Sequence, residues 1–150
     1  MANSLPLLYL DTSIPSAYYN DRDPERQIIT QHVWHTQLAE YHLVISNITF
    51  KELGATKNRK RMKKLIALVN HLDSRILTEP CSVLASEYLK NLKIPKTDAQ
   101  HIAIATLNDC EILLSWNFSH LVNYHNKRKI DEINSSNGFK TITIISPNEL

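Results

Sequence analysis

Short apolar runs alternate with longer amphipathic stretches along the whole chain. Leu7-Leu8-Tyr9-Leu10 is four apolar residues in succession, ending at Asp11. A run of that length with polar flanks predicts a strand buried on both faces. Asp11-Thr12-Ser13 reads as a polar turn, and Pro15 suits the first turn of a helix. Asp23-Pro24-Glu25 opens another helix, with Asp as N-cap and Pro at the first helical position. Ile28, Ile29, Val33 and Leu38 give that helix an apolar stripe to about Tyr41. Leu43 to Ser46 predicts a second strand, and Ile48, Phe50 and Leu53 a short helix that stops at Gly54. A helix is expected over Asn58 to Leu72, basic at its start and apolar toward its end. Arg75 to Thr78 predicts a third strand, and Pro80 to Leu92 a helix. Ile94-Pro95-Lys96-Thr97 breaks the chain, with Thr97 as cap of a helix from Asp98 to about Asp109. Ala99, Ile102, Ala103, Thr106 and Leu107 follow the i, i+3, i+4, i+7, i+8 spacing of a buried helical face. Glu111 to Ser115 predicts a fourth strand, Lys127 to Asn137 a helix with Gly138 as its C′ stop, and Thr141 to Ile145 the last strand. Strands alternating with helices mean an α/β fold, with a parallel sheet covered by helices on both faces. No repeat or linker interrupts the pattern, so residues 1–150 are expected to form one domain.

Composition removes several function classes. The 150 residues are 43% apolar but contain no run of about 18 apolar residues, which excludes a transmembrane helix. Met1-Ala2-Asn3-Ser4-Leu5-Pro6 lacks the basic and apolar regions of a secretory signal, so a cytoplasmic protein is expected. Two cysteines, Cys81 and Cys110, are too few for a disulfide framework or a zinc ribbon. Two glycines, Gly54 and Gly138, exclude the glycine-rich loops that cradle dinucleotides and nucleoside triphosphates. The net charge of +2 says little, but nine of the 17 basic residues fall in two patches. Six lie between Lys57 and Lys64, and three are Lys127-Arg128-Lys129.

Ligands of open α/β sheets bind beyond the carboxyl ends of the strands. Asp11 follows the first strand directly, Glu52 lies on the helix leaving the second, and Ser115-Trp116-Asn117 follows the fourth. Asp98 stands at the start of its helix, opposite the apolar stripe. Singly, each acid has an ordinary explanation as a cap, a macrodipole partner or a solvated charge. Together on one edge, three carboxylates repel one another and call for a cation, and all-oxygen ligands select Mg²⁺ or Mn²⁺.

Four blocks carry a family likeness. Leu8-Tyr9-Leu10-Asp11-Thr12-Ser13 resembles the opening strand and first acid of the PIN domain. Ser46-Asn47-Ile48-Thr49-Phe50-Lys51-Glu52-Leu53 resembles its second block, and Thr97-Asp98-Ala99-Gln100-His101-Ile102-Ala103-Ile104-Ala105 its third. Leu113-Leu114-Ser115-Trp116-Asn117-Phe118-Ser119-His120-Leu121 resembles the stretch that closes the site. Order and spacing agree over nearly the full chain, most closely with the VapC-like toxins of type II toxin–antitoxin pairs. The resemblance implies a three-layer α/β/α fold with a short, mostly parallel sheet, and a metal-dependent endoribonuclease. Asp11, Glu52 and Asp98 would hold Mg²⁺ or Mn²⁺, with Asn117 as a fourth site residue where many members have an acid. An amide brings no charge, so a second ion would be held weakly. RNA is the implied substrate, and a cognate antitoxin and a homodimer are the implied partners.

Other residues carry less. Thr12 and Ser13 can donate to phosphate or to a carboxylate, or cap the next helix, and Thr12 is kept as a substrate-binding candidate. His101 is expected to pack or to orient a neighbour rather than act as a base. His32 and His35 are expected at the surface, and Trp34 and Trp116 as core or interface anchors. Arg59, Lys60 and Lys63 are the candidates for phosphate contacts, because a basic run beside a nuclease site supplies affinity without reading sequence. The amphipathic helices at Asp23–Tyr41 and Asn58–Leu72 would, by the resemblance, form the dimer interface and antitoxin groove; core packing is the alternative. Two other functions fit the same residues. One is a PIN module that binds RNA or a protein without cutting. The other is phosphotransfer through Asp11, which Ser13 disfavours because that chemistry expects an acid there.

Overall fold

The computed structural model describes residues 4–150; Met1-Ala2-Asn3, part of the segment read as lacking a secretory signal, lies outside the described residues. The first strand, β1 (Leu7–Leu10), pairs in parallel with β2 (His42–Ser46) on one side and with β4 (Ile112–Leu114) on the other. β3 (Asp73–Arg75) and β5 (Thr143–Ile145) add the edges, giving the order β3-β2-β1-β4-β5 with every pairing parallel. Strand order reverses between β1 and β4, which makes the carboxyl ends of those two strands the topological switch point.

Alternation along the strands sorts the core into two layers. Tyr9, Val44, Leu113 and Ile144 face one side, against α5 (Glu79–Asn91), α6 (Lys96–Leu107) and α7 (Tyr124–Ser136). Leu8, Leu10, Ile45 and Leu114 face the other, against α1 (Ser13–Tyr18), α2 (Pro24–His35) and α4 (Arg59–Val69). Between them, α3 (Asn47–Gly54) sends Ile48 to the first layer and Leu53 to the second. The result is the expected α/β/α arrangement. Among the described residues no helix is long and apolar enough to cross a membrane.

Several boundaries differ from the sequence reading. β3 lies at Asp73–Arg75 rather than Arg75–Thr78 because Ser46, the last residue of β2, pairs with Arg75. No β2 backbone remains for Ile76–Thr78; Leu77 N–H donates to the Asn47 side chain instead (3.0 Å), and Ile76 is exposed. Thr97 does not cap α6: the helix begins at Lys96, two residues before the expected Asp98, Pro95 is the N-cap, and no side chain caps it. Helix α2 ends at His35, where Thr36 turns the chain into a 3-10 segment at Gln37–Glu40. Its inward residues are Thr30 and Val33, and Ile28 is 65% exposed. Helix α7 starts three residues before the expected Lys127, with Asn123 accepting from Asn126 N–H (3.1 Å).

Two helices end in the same motif with different residues. After α7, Gly138 takes φ +75°, its N–H bonds Ser135 O (3.1 Å) and Phe139 N–H bonds Asn134 O (2.8 Å). After α6, Asp109 takes φ +57°, with Asp109 N–H on Thr106 O (3.2 Å) and Cys110 N–H on Ala105 O (3.0 Å). Both are Schellman caps, and the left-handed position favours glycine.

Candidate active site

Asp11 continues β1 by one residue, its N–H bonded to Leu114 O of β4 (3.0 Å). The carboxylate is buried and oriented: Ser13 Oγ donates to Oδ2 (2.7 Å), and so does Ser115 Oγ (2.9 Å). Ser13 Oγ also accepts from Trp116 N–H (2.9 Å), which ties the turn after β1 to the turn after β4. Oδ1 takes no hydrogen bond from a described residue; its charged neighbour is His101 Nε2, 3.9 Å away.

Glu52 arrives on α3, which starts at the carboxyl end of β2 under a capping box of Ser46 and Thr49. Thr12 Oγ1 donates to Glu52 Oε1 (2.9 Å), and His101 Nε2 lies 2.5 Å from the same oxygen. With a carboxylate as acceptor, Nε2 carries the proton. His101 Nδ1 lies 2.6 Å from Tyr9 Oη, which in turn lies 2.8 Å from Ser46 Oγ. Burial disfavours the charged imidazole, but the Glu52 hydrogen bond and the Asp11, Glu52 and Asp98 charges outweigh it, so its pKa rises. Burial likewise works against the Glu52 carboxylate. The hydrogen bond and charge of His101, with Thr12, nonetheless hold its pKa below the ordinary value.

Asp98 sits in the first turn of α6. Its Oδ2 lies 3.2 Å from Asn117 Nδ2 and 3.1 Å from His120 Nδ1. Burial first, and then the nearby Asp11 charge, push its carboxyl up to about 6, with His101 and His120 opposing. Asn117 Oδ1 accepts the His120 N–H (3.0 Å), so the amide nitrogen is the end that faces Asp98. The Asn117 side chain therefore turns toward Asp98 and donates a hydrogen bond there.

The four residues expected at the site, Asp11, Glu52, Asp98 and Asn117, are therefore brought together at the switch point. In each of the three acids one oxygen is anchored by hydroxyl, amide or imidazole groups. The other, Asp11 Oδ1, Asp98 Oδ1 or Glu52 Oε2, takes no hydrogen bond from a described residue. Among the described residues no three His, Cys, Asp or Glu side chains form a ready-made metal cage. A small hard cation does not need one: Mg²⁺ is commonly held by one or two carboxylates, waters and substrate phosphates. Oxygen donors with one free atom each fit that requirement.

Thr12 joins the cluster through Glu52, and His101, expected to pack or to orient a neighbour, is buried and hydrogen-bonded to Glu52. Ser13 and Ser115 were legible as polar residues beside strand ends. His120 was not singled out; its signal was a histidine three residues past Asn117, on the loop that closes the site. Arg59, Lys60 and Lys63 are exposed on α4, away from direct contact with the acids. Of the same basic run, Arg61 is committed to structure, donating to Tyr19 O (2.7 Å) and Ser16 O (3.0 Å) at the end of α1. His32 and His35 are exposed, as expected, and Trp116 is buried as an anchor, its Nε1–H on Thr30 Oγ1 (2.8 Å).

No curated protein matches the sequence. Solved structures of similar fold include VapC20 of Mycobacterium tuberculosis, a sarcin-ricin-loop-cleaving toxin. It is 16% identical with a TM-score of 0.62, over 91% of this chain and 98% of that one. VapBC-1 of nontypeable Haemophilus influenzae is 17% identical with a TM-score of 0.59, over 95% and 98%. DNA-bound VapBC of Salmonella typhimurium is 16% identical with a TM-score of 0.61, over the same shares, 95% and 98%. At such identities the likeness is one of fold. The PIN domain family model matches residues 8–118, a stretch that takes in Asp11, Glu52, Asp98 and Asn117. The chain belongs to the PIN domain family.

Proposed function

We propose that this protein is a Mg²⁺- or Mn²⁺-dependent endoribonuclease. The observation that carries the reading is the half-anchored state of Asp11, Glu52 and Asp98 at one strand edge: three acids held in place, each with an oxygen to spare. Metal ligation fits better than nucleophilic attack, because two hydroxyls hold Asp11 Oδ2 and Ser13 stands where phosphotransfer chemistry expects its second acid. A bound divalent cation would supply a water of lowered pKa and positive charge against the scissile phosphate. Asp11 and Asp98 would be its direct ligands, and Glu52 would act directly or through water. His101 holds Glu52 and offsets the charge of the acids. Ser13 and Ser115 orient Asp11, and Asn117 with His120 orients Asp98. Exposed Arg59, Lys60 and Lys63 would meet the phosphates of RNA, and the Thr12 hydroxyl would meet a phosphate oxygen at the site by giving up its bond to Glu52.

The biological setting follows the fold. The structural neighbours include VapBC assemblies, which supports reading the chain, as one cytoplasmic domain, as the toxin of a type II pair. A cognate antitoxin and a second copy of this chain are the partners it would take. One observation favours a second reading, in which the module binds RNA or protein without cutting. Asn117 places an amide nitrogen against Asp98, where a fourth acid would strengthen cation binding.

Product-end analysis separates the readings. With Mn²⁺ and a 5′-labelled single-stranded RNA, the account expects internal cuts that leave 3′-hydroxyl and 5′-phosphate ends. Cyclic-phosphate ends would mean that the ribose 2′-hydroxyl is the nucleophile, against this account. Binding without cuts would favour the second reading.

A further inference from the structure

The chain that leaves β4 sends three consecutive side chains to three different places. Trp116 is 4% exposed and pinned to Thr30, and Asn117 turns in to Asp98. Phe118 is left 43% exposed at the mouth of the site. A single exposed phenylalanine is ordinary on a protein surface. This one has company. The Arg26 guanidinium carbon lies 5.1 Å from the Trp116 ring centre and 5.4 Å from that of Phe118, and the two rings meet edge-on at 6.1 Å. Its contact with Asp23 is a single one at 3.6 Å, so the rings as much as the carboxylate hold the guanidinium. A hollow of about 410 Å³ opens here, lined by Ser13, Arg26, Trp116, Asn117, Phe118 and Ser119. That volume is in the range of small-molecule sites, about 300–1,000 Å³. The hollow shares Ser13 and Asn117 with the acid cluster, so whatever fills it lies beside the reacting centre.

We propose that Phe118 and Arg26 form a stacking shelf for one unpaired nucleobase of the RNA, next to the phosphate at the acid cluster. The ligand class rests on the ribonuclease reading. Unpaired bases are held by aromatic rings and by the plane of an arginine, and this hollow offers both. Ser119, exposed on the same lining, adds a polar group for a base edge. Stacking accepts any base, so the shelf fixes where the strand lies and leaves sequence unread. It also explains why Phe118 stays exposed while its neighbour is buried.

The test is done in chelator, where RNA binds without being cut. The probe is a ten-nucleotide single-stranded RNA carrying 2-aminopurine at each position in turn. Wild type should quench one position. Phe118→Ala should lose that quench and weaken binding about 5- to 100-fold. Phe118→Trp should keep both, and Arg26→Lys should bind and quench less than wild type because it keeps charge but not the plane. Removing the base at the quenched position should weaken wild type as Phe118→Ala does, and the two changes together should cost no more than either alone. Additive losses, unchanged binding of Phe118→Ala, or no affinity of wild type for the RNA would each overturn the shelf. The two proposals fail separately. RNA that is quenched but never cut in Mn²⁺ overturns the ribonuclease reading alone. Cutting by Phe118→Ala at wild-type KM overturns the shelf alone.

Discussion

Asp98 shows most plainly what the site costs the fold. Its carboxyl, ordinarily near 3.8, stands at about 6 because burial and then Asp11 disfavour its charge. Raised above its unfolded value, it binds its proton more tightly in the fold. Its charged form therefore destabilises, little below pH 4, increasingly from pH 4 to 6, and fully above that. Asp98→Asn in chelator is expected to gain on the order of 2 kcal/mol at pH 7.5, roughly 4–8 °C in melting temperature. At pH 4.5 the gain should shrink to about a third. Melting curves at the two pH values check this, and an equal gain at both would contradict it. Asn117→Asp makes the opposite change: it replaces the 3.2 Å hydrogen bond to Asp98 with two facing carboxylates. Calorimetric titration should show Mn²⁺ bound roughly tenfold more tightly, and melting in chelator should fall by several degrees. The identities of these residues were legible from their place after strands and at a helix start. The direction of the Asn117 amide was not, because it depends on the His120 backbone N–H, three residues away in a loop without periodicity.

Helix ends carry the second scale. Gly138 and Asp109 occupy the same left-handed position in two Schellman caps, and only one is glycine. Asp109→Gly should stabilise by about 0.5–1 kcal/mol, because relief of the positive-φ strain outweighs the added freedom of the unfolded chain. Gly138→Ala should destabilise by about 1 kcal/mol. Urea midpoints at unchanged slope measure both. A loss for Asp109→Gly would show that its side chain makes up for the strain. The glycine signalled its cap in the sequence, but an aspartate after a helix has many uses, and that end was read only approximately. β3 was misplaced for a related reason. Arg75–Thr78 has the more apolar pattern, but an edge strand exists only where its neighbour has backbone to offer, and β2 stops at Ser46. Strands at the centre of the sheet, β1, β2 and β4, were legible because burial on both faces leaves continuous apolar runs.

At the scale of the molecule, charge and topology divide the work. The switch point gathers the acids, while α4 presents basic residues near the far end of α1, a helix of 6 residues and so about 9 Å long. Arg61 clips α1 from that side, which leaves Arg59, Lys60 and Lys63 exposed for phosphate contacts. Replacing those three with alanine should weaken RNA binding evenly across sequences. The slope of log K against log salt should become shallower by about 2, from roughly 0.7 per contact on a single strand. An unchanged slope would place the RNA elsewhere. The helical layers were legible from their stripes, and the convergence of distant acids followed from strand order. The Phe118–Arg26 contact joins residues 92 positions apart on two elements, beyond any local pattern. The central claim is that Asp11, Glu52 and Asp98 form a metal-dependent ribonuclease site. Its most direct test is the rate of RNA cutting by wild type and Asp11→Asn, each with Mn²⁺ and with chelator. The account predicts cutting by wild type with Mn²⁺ alone, and a loss of at least about a hundredfold in Asp11→Asn. Equal cutting by the two proteins, or cutting that persists in chelator, would contradict it.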